Sequence, residues 1–338
     1  MGVADIFRTS DGVALHVADS GPAGAPLTVV LAHGWTSDLR VWDEVVPLLT
    51  PHARVLRYDH RGHGRSGPAP RGSATLPRLS TDLAELLAER VPTGEVVLVG
   101  HSMGGMTMMS LAETHPDVVA SLAGAVFVST SAAEMDQLTF GLPRPLVRAV
   151  MKRRGKPRAH ASAAAVVEGM NTRVDHDAAT PDTATPEVAA PEIAGEPVLV
   201  DRAAPRVGKV QEVANLAFLR WLVFGSVFRM VDVRAVADQL GRSHRGTIGG
   251  LQRDILRHHS RVPALDAYQA VRTQVLVGEA DRVTPLEHAH VIARALPDTE
   301  FVRYPGAGHM LPYERAPELA NRVLRLVRSA TRAPQHTV

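Results

Sequence analysis

The chain has 338 residues, enough for one large α/β domain that carries an inserted segment. Its 37 basic and 35 acidic side chains nearly cancel, so no charge of a single sign favours a nucleic-acid partner. It contains no cysteine, which excludes disulfides, thiolate catalysis and cysteine zinc sites.

Strand-like and helix-like segments alternate along the chain, which is typical of a mostly parallel sheet with helices on both faces. An opening hairpin is predicted from two short strands, residues 6–9 and 13–18. Further strands are predicted at residues 27–32, 55–58, 96–99, 123–128, 274–278 and 300–304. Apolar spacing predicts helices at residues 38–49, around 79–87, and at 105–115, 286–296 and 313–328, with Pro47 kinking the first near its end.

Periodicity breaks down in the middle of the chain, which indicates an insertion into the sheet pattern. We predict core segments at residues 1–131 and 266–338, with a cap inserted at residues 132–265. Within the insertion, residues 175–205 are rich in Ala, Pro, Asp, Glu and Thr, and we expect a mobile loop there.

The motif Gly100-His101-Ser102-Met103-Gly104 lies between a buried strand and a helix. A chain that reverses from strand to helix within one residue forces that residue into a strained conformation of positive φ. Small neighbours two positions before and after keep Cβ atoms away from this crowded turn. We therefore predict that Ser102 lies on a nucleophile elbow at the carboxyl end of the sheet.

A serine hydroxyl is a poor nucleophile at neutral pH and needs a base that is itself held by an acid. Asp281 follows the strand 274–278, and His309 follows the last strand. Both should lie at the carboxyl edge of the sheet, where ligands of open α/β sheets bind. The chain order Ser102, Asp281, His309 is the order expected for a triad on such a sheet.

An acyl-transfer site also needs backbone donors for the oxyanion. We predict that the N–H groups of Met103, at the helix start, and Trp35, in His33-Gly34-Trp35, provide them. The apolar stretch 216–228 predicts a cap helix over the site, with a membrane-touching lid as the alternative. The predicted substrate contacts are Trp35, Met103, Trp221, Phe224 and Met310.

Five motifs together resemble the α/β-hydrolase superfamily, and they lie at residues 33–35, 59–66, 100–105, 278–285 and 306–312. The resemblance implies an α/β-hydrolase fold, with a mostly parallel eight-stranded sheet, flanking helices and an inserted, mainly helical cap. It also implies oxyanion amides at Trp35 and Met103, a nucleophile at Ser102, an acid at Asp281 and a base at His309. The stretch 59–66 is usually a structural turn in that superfamily.

Other interpretations of these motifs are less favoured. Glu134 or Asp136, after the strand 123–128, is an alternative acid. Residues 62–67 match Gly-x-Gly-x-x-Gly, but prolines follow where a phosphate-binding helix would begin. The histidines at 258, 259, 288 and 290 lack carboxylate partners at a metal-ligand spacing. We therefore expect no cofactor and no metal.

The sequence predicts a cofactor-independent serine hydrolase for a small apolar or acyl substrate: a carboxylic ester, lactone or thioester. The alternatives on the same triad are a C–C bond hydrolase, a cofactor-free perhydrolase and an acyltransferase. A non-catalytic small-molecule binding protein on this scaffold is the alternative from another class. No signal-peptide pattern and no run of 18 apolar residues are present, so we expect a cytoplasmic protein without a transmembrane segment, and no nucleic-acid partner.

Overall fold

The computed structural model describes residues 3–133, 135 and 209–332. Eight strands form one sheet in the order β1-β2-β4-β3-β5-β6-β7-β8. Their bounds are β1 Val3–Arg8, β2 Ala14–Ser20, β3 Leu27–Ala32, β4 Arg54–Tyr58, β5 Glu95–His101, β6 Gly124–Val128, β7 Thr273–Gly278 and β8 Glu300–Tyr304. Strand β2 runs antiparallel to β1 and β4, and the remaining neighbours pair in parallel. The predicted mostly parallel, eight-stranded sheet is confirmed.

Helices flank this sheet on both sides. Within the described ranges they are α1 Val46–Leu49, α2 Leu76–Arg90, α3 Met103–Thr114, α4 Pro116–Ala120, α5 Lys209–Val223, α6 Met230–Arg242, α7 Arg245–His258, α8 Leu286–Ala295, α9 Leu311–Glu314 and α10 Ala316–Arg332. The same ranges also contain the 3-10 turns Leu39–Trp42 and Pro263–Tyr268.

Two of the predicted helices are wrong, because each is divided into two separate elements in the structure. The segment 38–49 forms a 3-10 turn, Leu39–Trp42, followed by the separate α1, and Pro47 lies in the first turn of α1. A proline is tolerated there because the first N–H groups of a helix have no partner within it. The closing helix is likewise divided into α9 and α10, because Arg315 leaves helical geometry at φ −141°.

The central strands are buried on both faces, which explains their continuous apolar sequences. Along β3, Val29 and Leu31 pack on one side of the sheet and Val30 and Ala32 on the other. The first side is covered by α1, α10 and residues of α5 and α6, and the second by α2, α3 and α8. This packing fixes the carboxyl ends of β3, β5, β6 and β7 at one edge of the sheet.

Among the described residues, helices α5, α6 and α7 come between β6 and β7 in the chain. Helix α7 packs over the start of α3, where Leu251 and Ile255 join a small apolar cluster with Met103 and Met106. The predicted insertion at residues 132–265 lies partly outside the described residues, and its predicted loop at 175–205 lies wholly outside them. The division into core and cap therefore stays a prediction.

Candidate active site

Ser102 lies on the turn between β5 and α3, with φ 53° and ψ −117°. The positions of its flanking glycines leave no room for a side chain, since a Cβ on Gly100 would lie 2.5 Å from the backbone nitrogen of Gly105. A Cβ on Gly104 would collide with the carbonyl oxygen of Ala32. Only glycine at these two positions allows β5, the turn and α3 to pack together.

Backbone strain is concentrated at this edge of the sheet. Among the described residues, the non-glycine residues with positive φ are Thr36 at 64°, Ser102 at 53° and Ser129 at 43°. They follow the ends of β3, β5 and β6 respectively. Each such conformation costs on the order of 1–3 kcal/mol and is typical of functional sites.

Asp281 and His309 form a buried pair, with 2.8 Å between Oδ2 of the aspartate and Nδ1 of the histidine. Oδ1 of Asp281 accepts the N–H groups of Val283 and Thr284, and Oδ2 also accepts the hydroxyl of Thr284. Burial alone would raise the pKa of Asp281, but the charge and hydrogen bond of His309 and these N–H donors outweigh it and lower that pKa. An ionised carboxylate only accepts, so Nδ1 of His309 carries the proton and Nε2 is the basic nitrogen.

The backbone of His309 is held on both sides. Its N–H donates to the carbonyl of Val223 at 2.9 Å, and its carbonyl accepts Nε2–H of His101 at 2.9 Å. Burial and the neighbouring charge of His309 lower the pKa of His101 to about 3, so this ring is neutral at physiological pH. His101 therefore serves as a hydrogen-bond donor that fixes the loop carrying His309.

Ser102 and His309 are both buried and line the same cavity. Among the described residues no direct hydrogen bond joins their side chains, and catalytic hydrogen bonds of this kind are often long before substrate binds. Ser102 and His309 thus line one cavity, and Asp281 is bound to the Nδ1 atom of His309.

Two backbone N–H groups beside Ser102 are free to bind an oxyanion. Met103 is the first residue of α3, and Trp35 follows β3. Within the part of the chain that the structure describes, neither N–H donates a hydrogen bond to another protein group. Gly34 allows this close approach, since a Cβ there would lie 3.1 Å from Cβ of Ser102.

The cavity has a volume of about 140 Å³ and mostly apolar walls. Trp35, Met103 and Met310, three of the predicted substrate contacts, line it, and helices α5, α6 and α7 add the residues Phe218, Leu219, Leu222, Val223, Val236, Leu240, Ile255 and Leu256. Trp35 is held against α7 by a hydrogen bond from its Nε1 to the carbonyl of Ile248 at 3.2 Å.

Trp221 and Phe224 do not line the cavity, contrary to the prediction. The face of α5 that meets the cavity carries residues 218, 219, 222 and 223, and Trp221 lies on another face with its ring 5.3 Å from the guanidinium of Arg282. Phe224 lies past the end of α5, buried with its ring 6.4 Å from that of Tyr313. Both aromatic residues therefore pack the end of α5 against the loop after β7 and against α9.

Thr284 and His101 contribute to the site and were missed from the sequence. The spacing Asp281-x-x-Thr284 could have identified Thr284, because an aspartate commonly accepts the N–H groups two and three residues later. No comparable local signal exists for His101, whose partner is 208 residues away.

The described residues include no group of three or more His, Asp or Glu side chains that could hold a metal ion. The alternative acids Glu134 and Asp136 lie outside the described residues. No helix within the described ranges has the length and apolar character needed to cross a membrane.

We expect the free energy of unfolding to fall as the pH is lowered from 7 to 5. Burial lowers the pKa of His63 and His101 to about 3 and that of His259 to about 4. An unfolded histidine titrates near pH 6.5, so below that pH the unfolded chain binds protons that the folded chain does not. Each of these three histidines should lower the free energy of unfolding by about 2 kcal/mol between pH 7 and pH 5. Urea unfolding at pH 7, 6 and 5 measures the change, and a constant free energy would contradict the burial of neutral imidazoles.

With this geometry in place, comparison with known proteins identifies the family. A family model described as serine aminopeptidase, S33, matches residues 25–316. The chain is an α/β-hydrolase of this family. Among solved structures, this hydrolase resembles a putative aryl esterase from Burkholderia cenocepacia, with a TM-score of 0.68, 19% identity and coverage of 97% of this chain and 99% of that one. At this identity the likeness shows the fold alone.

Curated relatives of this hydrolase match over shorter stretches. Lipase LipV from Mycobacterium tuberculosis is 41% identical over 108 residues, which is 32% of this chain and 40% of LipV. The probable oxidoreductase EphD from Mycobacterium bovis is 36% identical over 102 residues, which is 30% of this chain and 17% of EphD. The hydrolase thus spans less than half the length of these curated relatives.

Proposed function

We propose that this α/β-hydrolase cleaves a carboxylic ester, lactone or thioester with an apolar acyl portion, and that Ser102 is its nucleophile. The observation that carries the proposal is the meeting of three features at one cavity. These are a strained serine on its elbow, a histidine whose Nδ1 is bound to a buried aspartate at 2.8 Å, and two backbone N–H groups without protein partners among the described residues.

In the first half of the reaction, Oγ of Ser102 attacks the acyl carbon while Nε2 of His309 takes the hydroxyl proton. The N–H groups of Trp35 and Met103 stabilise the oxyanion of the tetrahedral intermediate, and each such donor is worth about 100- to 1,000-fold in rate. Asp281 keeps the imidazole in the correct tautomer and stabilises its charged form. Collapse of the intermediate expels the alcohol or thiol, which takes the proton from His309.

In the second half, water attacks the acyl-enzyme with His309 again as the base. The intermediate collapses to release the carboxylic acid, and the proton returns from His309 to Oγ of Ser102. The substrate and one water molecule are the only reactants that the two halves of this proposed reaction need.

The walls of the cavity support an apolar acyl group. Met103, Met106 and Met310 are unbranched and polarisable, so they can adapt to acyl groups of different shape. The curated relative LipV is named as a lipase, which supports ester bonds as the substrate class.

The proposal is tested with two measurements on the wild-type protein. Short and medium p-nitrophenyl esters, lactones and thioesters are assayed for turnover, and a fluorophosphonate adduct is located by peptide mass spectrometry. We expect turnover of apolar esters and a single adduct at Ser102. Stoichiometric binding of the esters without turnover would instead indicate a small-molecule binding protein.

A further inference from the structure

Glu314, the last residue of α9, binds the backbone on both sides of His309. Its Oε2 accepts the N–H of Gly308 at 2.9 Å, and its Oε1 accepts the N–H of Met310 at 3.2 Å. Gly308 and Met310 are the two sequence neighbours of His309. The carboxylate therefore binds the backbone on both sides of the base and makes no hydrogen bond to the imidazole ring.

The same carboxylate also reaches the inserted helix α5. Oε2 of Glu314 accepts the N–H of Gly225, two residues beyond the end of α5, at 2.8 Å. One carboxylate thus joins three backbone N–H groups from two segments that are 80 or more residues apart in sequence. Hydrogen bonds to a charged acceptor are stronger than those between neutral groups.

The backbone near Gly225 packs directly on the loop that carries His309. A Cβ on Gly308 would lie 2.5 Å from the nitrogen of Gly225, and a Cβ on Gly225 would collide with the carbonyl oxygen of Gly306. No side chain fits between the two segments. The end of α5 and the loop of His309 therefore pack backbone against backbone.

The acid loop is tied to the same helix end. The guanidinium of Arg282, the residue after Asp281, donates to the carbonyl of Trp221 at 2.8 Å, and the N–H of His309 donates to that of Val223. Burial raises the pKa of Glu314 and the nearby charge of Asp281 acts in the same direction, while the three N–H donors oppose both. These three N–H donors offset the free-energy cost of burying a carboxylate at this position.

We propose that Glu314 is a positioning residue for His309, whose carboxylate holds the loop 308–310 against the end of α5 and so keeps the imidazole aligned between Asp281 and Ser102. The inference rests on the proposed function, since it assigns His309 the role of base. A displacement of about 1 Å in a reacting group can cost 100-fold in rate. Loss of Glu314 should therefore lower kcat and leave KM almost unchanged, because Glu314 binds the backbone beside the base and does not itself line the cavity.

The test compares Glu314→Gln, Glu314→Asp and the control Glu318→Gln in turnover of a p-nitrophenyl ester. Rates are expressed per active site titrated with fluorophosphonate, so unfolded molecules do not contribute. Gln keeps the size of the side chain but turns one acceptor into a donor that opposes the N–H groups, and we expect kcat to fall 10- to 100-fold with KM within about 2-fold. Asp keeps the charge on a shorter side chain and should give a smaller loss.

Glu318 is a matched control because it lies four residues further on and is 54% exposed, beside Arg315. The kcat of the Glu318→Gln variant should stay within about 2-fold of the wild-type value. A Glu314→Gln protein with a lower melting temperature but an unchanged kcat per titrated site would overturn the positioning role. If Gln does not fold, a Glu314→Asp protein with wild-type kcat would overturn it equally. Absence of labelling at Ser102 in the wild-type protein would instead contradict both the proposed function and this inference.

Discussion

Replacing Ser102 by alanine is expected to lower kcat for ester hydrolysis by about 10⁴- to 10⁶-fold and to abolish fluorophosphonate labelling. The variant loses the hydroxyl that forms the acyl-enzyme in the proposed mechanism. The melting temperature should be nearly unchanged, because alanine keeps the Cβ and so adds no strain at φ 53°. The Oγ of Ser102 also has no hydrogen-bonding partner among the described residues. Steady-state kinetics, labelling and differential scanning fluorimetry measure the three effects.

Ser121→Ala is the matched control for this substitution. Ser121 is exposed, and its hydroxyl donates to the carbonyl of Val118 in the preceding turn. Its removal should leave both kcat and labelling unchanged. Labelling that persists in Ser102→Ala would show that another residue reacts, and the assignment of the nucleophile would be wrong.

The elbow and the two loops at the sheet edge could be predicted from the sequence because their determinants are local. Gly100 and Gly104 mark a turn that no larger residue permits, and an apolar run before them marks a buried strand. Asp281 follows a buried strand, and His309 follows the last strand of the sheet, each within a few residues. The parallel arrangement of the sheet then brings these strand ends to one edge.

The failures involve contacts that depend on tertiary packing. Trp221 and Phe224 are aromatic and lie in an apolar segment, but the sequence does not specify which face of α5 meets the cavity. Glu314 resembles an ordinary surface carboxylate, because its partner Gly225 is 89 residues away and offers only a backbone N–H. A backbone N–H donor does not depend on the type of side chain, so a contact to it cannot be recognised from the sequence pattern.

Replacing Asp281 by asparagine is expected to lower kcat by about 10⁴-fold. The reason is the orientation that the site imposes on the new amide. The N–H groups of Val283 and Thr284 point at the Oδ1 position, so the amide oxygen must occupy it. The NH₂ group then faces Nδ1 of His309, which must become the acceptor. The ring proton moves to Nε2, and this tautomer cannot take a proton from Ser102.

The measurement is kcat per titrated active site, with Asp298→Asn as a matched control. Asp298 is exposed between α8 and β8 and does not line the cavity, so the kcat of Asp298→Asn should stay at the wild-type level. The same comparison tests the alternative acids Glu134 and Asp136. If Asp281→Asn retains most of its activity while Glu134→Gln or Asp136→Asn loses it, the acid lies after β6 and the Asp281–His309 pair is structural. A loss confined to Asp281→Asn fixes the acid on the loop after β7, where its carboxylate is already bound to Nδ1 of the base.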